Sequence, residues 1–190
     1  MSSSSRLPAE IVGLLETVAG LDAFSLGSEA ALLDVLESQA RRWNAGSVRE
    51  YCAWVEQHEG MLRDLLNAAV VPETFLFRYP NSFQMLAGWA RDRLHRFNAG
   101  RRLRILCVPC SSGEEVYSIA ITLRQAGLAA GQFSIEGIDL CPALIEKAAN
   151  GVYHGYSFRT VDRSVRDTYF DPQGGGYAVR EFLRESVTFR

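Results

Sequence analysis

The chain has 190 residues, a net charge of −2, a hydrophobic content of 47% and a charged content of 22%. These values are typical of a soluble globular protein with one domain of ordinary size and a smaller additional one. The near-neutral charge argues against nucleic-acid binding, and no apolar run approaches the roughly 20 residues of a membrane span. The N-terminus has no apolar segment of a secretion signal, so we predict a cytoplasmic protein without direct membrane insertion.

The first 70 residues predict an all-helical domain. Pro8 stands at the start of the first helix and Gly20 follows its end, the usual asymmetry of helix termini. Ser47 and Glu50 form a capping box, in which each side chain can satisfy a backbone amide at the helix start. The predicted helices are 8–19, 28–43, 47–58 and 61–69.

From residue 71 onward, strands alternate with helices, which predicts a parallel α/β sheet with right-handed crossovers. The predicted strands are 103–108, 133–140, 177–180 and 187–189, and the predicted helices are 80–97, 114–126, 143–150 and 160–169. Only the first two strands are expected to be parallel, whereas a doubly wound sheet has about five or six. We therefore expect a fragment of a longer polypeptide; the alternative is that the missing strands come from elsewhere.

The stretch from Leu103 to Ala120 predicts a buried strand, a tight loop of small residues and a helix. An open α/β sheet binds nucleotide-like ligands at such a junction. This helix begins with Glu114 and Glu115, whereas phosphates prefer bare amides and cations at a helix start. The acids favour a ligand with amine and hydroxyl groups, such as S-adenosylmethionine. Alternatively, an acid here is a solvated residue of the first helical turn, and we expect that for one of the two.

Asp139 lies at the end of the second predicted strand, near the expected spacing of about 20 residues after Gly113. An acid at this place can accept hydrogen bonds from ribose hydroxyls, although Asp139 could instead cap the helix that follows. Gly113 is the only glycine of the loop, so the G-x-G-x-x-G pattern of a dehydrogenase is absent.

Two cysteines frame the same loop. Cys107 and Cys110 have the C-x-x-C spacing of a thiol oxidoreductase, but acids at the start of the next helix would raise a thiol pKa rather than lower it. We favour small residues that fill a tight turn and keep thiol redox chemistry as an alternative. No second Cys or His pair has zinc-ligand spacing, so no metal site is predicted.

A third segment runs from Glu73 to Arg78 with the sequence E-T-F-L-F-R. Its apolar residues need burial, so the arginine is expected to be fixed rather than freely moving. Together, this segment, the S-S-G-E-E-V-Y-S-I-A run from Ser111 and the G-I-D run to Asp139 resemble the CheR-type chemotaxis-receptor glutamate methyltransferases. The resemblance covers about residues 70–190. Two later motifs of that family have no counterpart before the chain ends.

The resemblance implies a helical receptor-recognition domain at 1–70. It also implies the N-terminal part of a Rossmann-like methyltransferase domain at 71–190, with a small antiparallel β-subdomain at about 171–190. The implied cofactor is S-adenosylmethionine, with S-adenosylhomocysteine as the product. The residues expected to hold it are Thr74, Arg78, Gly113, Glu115 and Asp139. Because the later motifs are missing, we expect these 190 residues to bind the cofactor weakly or not at all and to be inactive by themselves.

The implied reaction is methylation of glutamate side chains in the cytoplasmic helical region of a methyl-accepting chemoreceptor. A glutamate carboxylate with a pKa near 4.3 is already a nucleophile at neutral pH, so no general base is needed. We expect Arg78 to act as the catalytic residue that places the acceptor carboxylate. Arg41 and Arg42 could receive the acidic receptor helix, although a solvated charged face is equally consistent. The alternative function is a cofactor-binding regulatory module without turnover.

Overall fold

The computed structural model describes residues 9–19, 28–69, 73–93 and 102–190. The chain divides into two compact units, Met1–Val71 and Pro72–Arg190. Within the described ranges, none of the helices combines the length and the apolar character needed to cross a membrane.

The first unit is helical, as predicted. Its helices are α1 Ala9–Ala19, α2 Glu29–Arg42, α3 Val48–Val55 and α4 Glu59–Ala69. Apolar residues at i, i+4 spacing, such as Ile11 with Leu15, give each helix an apolar face, and these faces pack together in one core. Ser47 Oγ accepts from the Glu50 amide at 3.1 Å, but the Glu50 carboxylate accepts from the Gly46 amide at 2.7 Å instead of closing back on Ser47.

The second unit holds the remaining elements. Its helices are α5 Pro80–Arg93, α6 Glu114–Gln125, α7 Pro142–Asn150, α8 Arg163–Tyr169 and α9 Glu181–Arg184. Its strands are β1 Leu103–Cys107, β2 Phe133–Gly137, β3 Val152–Tyr153, β4 Phe170–Gln173, β5 Gly176–Val179 and β6 Val187–Phe189. Residues 94–97, the predicted end of the helix over 80–97, lie outside the described residues. Strand β2 ends three residues earlier than predicted, so Asp139 lies in the loop after the strand.

The main sheet has the order β1-β2-β6, with both pairings parallel. The prediction of only two parallel strands is therefore wrong, because Val187–Phe189 adds a third. Gly137 leaves room for this strand, since a Cβ there would come within 2.8 Å of the Phe189 ring. This sheet and the helices along it form the partial Rossmann-like fold that the sequence predicted.

The small antiparallel sheet has the order β3-β5-β4. Its strands lie between Val152 and Val179, so the predicted position of the β-subdomain at about 171–190 is wrong at both ends. The prediction missed Val152–Tyr153, which is too short to show an alternating pattern. It wrongly included the last strand, whose partner β2 lies far away in the sequence.

Candidate functional site

The carboxyl ends of β1 and β2 lie side by side, with Cys107 opposite Gly137. The chain after β1 turns sharply into α6, and the Cys110 amide donates to the Ile138 carbonyl at 2.9 Å. The loops after the two strands are thus joined by a backbone hydrogen bond. Side chains from both loops meet at this edge of the sheet, which we call the strand-end rim and define by Cys107, Cys110, Glu115 and Asp139.

Asp139 connects the two loops through its carboxylate. Oδ2 accepts from the Ser111 amide at 2.8 Å, and Oδ1 accepts from the Cys141 amide at 3.0 Å. Cys141 is the N-cap residue of α7, so Asp139 does support the start of that helix. Each carboxylate oxygen has a second lone pair, and a role toward ribose hydroxyls is compatible with these bonds.

Glu115 reaches the rim from the first turn of α6. The Cys107 thiol donates to Glu115 Oε1 at 3.5 Å. Burial, and then the charge of Glu115, raises the pKa of the Cys107 thiol to about 12. Burial, and then the charge of Asp139, raises the pKa of Cys110 to about 11. The negative charges of Glu115 and Asp139 therefore both act on the thiols of the strand-end rim.

The raised pKa values argue against thiol redox chemistry. A reactive cysteine needs a substantial thiolate fraction near neutral pH, and both rim thiols stay protonated there. None of the four cysteines is part of a disulfide, and all four are buried. Cys107 and Cys110 serve as small buried residues in a tight turn.

Glu114 differs sharply from its neighbour. Its side chain is only 2% exposed, and it accepts from Ser112 Oγ at 2.7 Å and from Ser157 Oγ at 2.9 Å. The interpretation of a solvated first-turn acid is therefore wrong for Glu114. Helical spacing could have indicated its burial, because Tyr117 and Ser118, three and four residues further on, are also buried.

Gly113 is required by the backbone and by packing. Its φ of +88° lies in the left-handed region. A Cβ at this position would come within 2.8 Å of Ala148 Cβ and 2.9 Å of Tyr153 Oη. Close approach of the loop to α7 and β3 explains the glycine, and its contact with a cofactor stays a prediction.

Thr74 and Arg78 come from the segment that precedes α5. Thr74 lines a cavity of about 160 Å³. The other residues that line it are Ser112, Glu114, Lys147, His154, Tyr156 and Ser157. Arg78 Nη2 forms an ion pair with Glu73 Oε2 at 2.9 Å, and its guanidinium lies 5.3 Å from the centre of the Tyr79 ring. Both contacts come from neighbouring residues of the chain, Glu73 and Tyr79, and that the buried apolar residues fix the arginine stays a prediction.

Arg41 and Arg42 lie in the last turn of α2. Their side chains are 72% and 64% exposed, and they pair with Glu37 at 3.6 Å and with Asp64 at 3.5 Å. Exposed ion pairs of this length contribute little stability. Both guanidiniums are accessible to an acidic partner, and this role stays a prediction.

Residues 72–190 match the family model "CheR methyltransferase, SAM binding domain". The chain belongs to the CheR methyltransferase family. The family match covers the unit that contains the strand-end rim, the cavity next to Thr74 and the segment Glu73–Arg78.

Several relatives resemble the chain over most of its length. It is 41% identical over 181 residues to the probable biofilm formation methyltransferase WspC of Pseudomonas aeruginosa, covering 93% of this chain and 42% of the relative. It is 37% identical to WspC of Pseudomonas putida, over 90% of this chain and 40% of the relative. Chemotaxis protein methyltransferase 2 of Vibrio cholerae is 34% identical, over 67% of this chain and 46% of the relative. The chain therefore spans about two fifths of the length of these CheR-type relatives.

The cofactor of this family, S-adenosylmethionine, fits the chemistry of the rim. The Ser111 hydroxyl is buried and finds no hydrogen-bond partner within the part of the chain that the structure describes. Ser111 has a φ of +49°, and such outliers often lie at ligand sites. Carboxylates beside an unsatisfied hydroxyl suit a ligand that carries positive charge and hydroxyl groups, and they would repel a phosphate.

Proposed function

We propose that the protein transfers a methyl group from S-adenosylmethionine to glutamate side chains in the cytoplasmic helical region of a methyl-accepting chemoreceptor. The observation that carries the proposal is the convergence of Glu115 and Asp139 on one strand-end rim, in a chain of the CheR family. A protein that modifies such a receptor region would act in the cytoplasm.

The rim carboxylates would hold the cofactor. S-adenosylmethionine supplies an electrophilic methyl group on a sulfonium. Asp139, fixed by two backbone amides, would accept from the ribose hydroxyls through its remaining lone pairs. Glu115 would face the positively charged part of the ligand, and Thr74 and Gly113 would complete the contacts. Fixed carboxylates need little reorganisation when the ligand binds.

Arg78 would orient the acceptor. A glutamate carboxylate is ionised at neutral pH, so its attack requires alignment and exclusion of water rather than a general base. Arginine keeps its charge and offers two parallel donors to a carboxylate. The acceptor would replace Glu73, whose side chain is 75% exposed, as the partner of Arg78. Exchange of one exposed ion pair for another costs little.

The exposed guanidiniums of Arg41 and Arg42 would attract an acidic receptor segment, because complementary charges accelerate encounter and fix orientation. The two WspC relatives are named for biofilm formation. We therefore favour a receptor of a chemosensory pathway that controls biofilm formation over one that controls swimming.

Methyl transfer is the direct test. A full-length protein that contains these 190 residues, which is also the protein for the binding and kinetic experiments below, should form base-labile methyl esters on receptor glutamates when it is mixed with methyl-labelled S-adenosylmethionine and the cytoplasmic fragment of a cognate receptor. Replacement of the receptor glutamates by alanine is the matched control and should abolish labelling. Calorimetry with S-adenosylhomocysteine separates cofactor binding from turnover. Cofactor binding without receptor labelling would favour the regulatory module instead.

A further inference from the structure

Glu114 is a buried carboxylate whose two oxygens accept hydrogen bonds from hydroxyl groups. Ser112 Oγ donates to Oε2 at 2.7 Å and Ser157 Oγ donates to Oε1 at 2.9 Å. A buried carboxylate is costly unless hydrogen bonds compensate for its lost hydration. Ser112 belongs to the loop after β1. Ser157 lies in a 3-10 helix, Gly155–Phe158, that follows much later in the chain. Glu114 therefore bridges two distant parts of the unit.

Ser157 also bonds to the segment that contains Thr74 and Arg78. The Ser157 carbonyl accepts from the Leu76 amide at 3.0 Å. A second path begins at the backbone of Glu114, whose carbonyl accepts from Ser118 Oγ at 2.6 Å. Ser118 Oγ in turn accepts from the Phe77 amide at 2.9 Å. Two consecutive amides of the segment are thus linked to one glutamate through two serines.

The linked residues are those that need support. Phe77 has a φ of +58°, a left-handed conformation that is strained for a bulky L-residue. Such strain persists only where surrounding contacts hold it. Leu76 is fully buried, and its carbonyl accepts from Thr160 Oγ1 at 2.8 Å. The turn at Phe77 fixes the direction in which the chain enters Arg78.

We infer that Glu114 is a positioning residue, whose carboxylate holds Ser157 and, through the Ser157 carbonyl, keeps the Leu76–Arg78 turn in register with the first turn of α6. Its neighbour Glu115 is directed to the strand-end rim, so consecutive residues serve the acceptor side and the cofactor side. Because Glu114 is 2% exposed, it acts through the serines. The inference rests on the proposed function for its kinetic consequence but not for its structural one.

Amide hydrogen exchange tests the structural part without any activity. Ser157→Ala removes the hydroxyl bond to Glu114 and keeps the carbonyl that binds Leu76. We expect exchange at Leu76 to become about tenfold faster, as loss of a hydrogen bond to a carboxylate implies, whereas Phe77, whose amide bonds to Ser118, should change less. Exchange in β2 should change less than about twofold. Ser164→Ala, at an exposed position of α8, is the matched control and should leave both regions unchanged.

Glu114→Gln should give a smaller increase than Glu114→Ala, because an amide can still bond to one of the two hydroxyls. If Glu114→Ala fails to fold, Ser157→Ala and Glu114→Gln decide the matter. Unchanged exchange at Leu76 in both variants would overturn the inference. So would an equal increase in β2, since that would indicate general destabilisation.

Kinetics test the functional part. Ser157→Ala should lower kcat for receptor methylation about tenfold while its affinity for S-adenosylhomocysteine stays within about twofold. A parallel loss of affinity and kcat would contradict a positioning role. If the unaltered protein methylates no receptor, the proposed function fails, and the exchange experiment still decides whether Glu114 holds the segment.

Discussion

Arg78 and Glu73 form an ion pair within one short segment, with Nη2 2.9 Å from Oε2. The pair keeps the guanidinium ordered and also occupies the donors that an acceptor carboxylate would use. Because Glu73 is mostly exposed, its attraction for Arg78 is weakened by water. Glu73 thus serves as a replaceable partner of the arginine that we propose to orient the acceptor.

Glu73→Gln should therefore lower the KM for the receptor by about two- to fivefold, since the acceptor no longer competes with a carboxylate. Arg78→Lys should lower kcat strongly, because an ammonium lacks the two parallel donors of a guanidinium. Initial rates of methyl transfer at varied receptor concentration measure both effects. An unchanged KM in Glu73→Gln would show that the acceptor does not displace Glu73.

Glu115→Gln and Asp139→Asn should each weaken binding of S-adenosylhomocysteine by about 10- to 100-fold, the value of one hydrogen bond to a charged group. Calorimetry gives the ratio to the unaltered protein. Glu146→Gln, at an exposed position of α7, is a matched control and should bind normally. Equal affinities in all four proteins would remove the rim from the cofactor site.

Gly113→Ala should destabilise the protein by about 3 kcal/mol, from left-handed backbone strain and overpacking against Ala148 and Tyr153. Gly131→Ala is the control, because a Cβ there meets nothing within 4 Å. Urea unfolding measures the free energy of unfolding of both variants. A small effect of Gly113→Ala would mean that the loop and α7 separate easily.

From the raised pKa values of Cys107 and Cys110 we predict that the protein loses stability at alkaline pH. Their pKa values are about 12 and about 11 in the folded protein, against 9.0 for an ordinary thiol. The unfolded chain ionises first, so the stabilising contribution is complete below pH 9 and declines as the pH rises toward 11 and 12. Urea unfolding at pH 8, 9 and 10 should show this decline, and Cys107→Ala should reduce it.

Cys110→Ser should leave receptor methylation within about twofold, because a protonated thiol supplies no nucleophile. Loss of activity in this variant, with normal S-adenosylhomocysteine binding, would instead support thiol chemistry. The same assay repeated with a reductant distinguishes a redox effect from a packing effect.

Charge reversal on α2 tests receptor recognition. Arg41→Glu combined with Arg42→Glu should raise the receptor KM about tenfold at low salt, and high salt should shrink the difference. Arg63→Glu, an exposed residue of α4, is the matched control. Unchanged kinetics in the double variant would leave Arg41 and Arg42 as ordinary surface charges.

Local patterns in the sequence predicted much of the fold. Helix starts at Ser28 and Ser47 and the strand–loop–helix from Leu103 depend on residues close in sequence, so spacing reveals them. The family motifs that begin at Glu73 and Ser111 are also local, and they indicated the methyltransferase domain. Helix and strand ends were less certain because capping at the ends depends on neighbours that spacing does not show.

Long-range packing decided the rest. The last strand joins β2 because Gly137 leaves space for Phe189, a contact that local alternation cannot indicate. Glu114 accepts from Ser157, 43 residues away, as well as from the nearby Ser112, whereas Glu115 lies at the rim. The sequence by itself determined which residue types could bind a cationic donor. The tertiary structure decided which of them face the rim, since burial depends on partners brought together from distant positions.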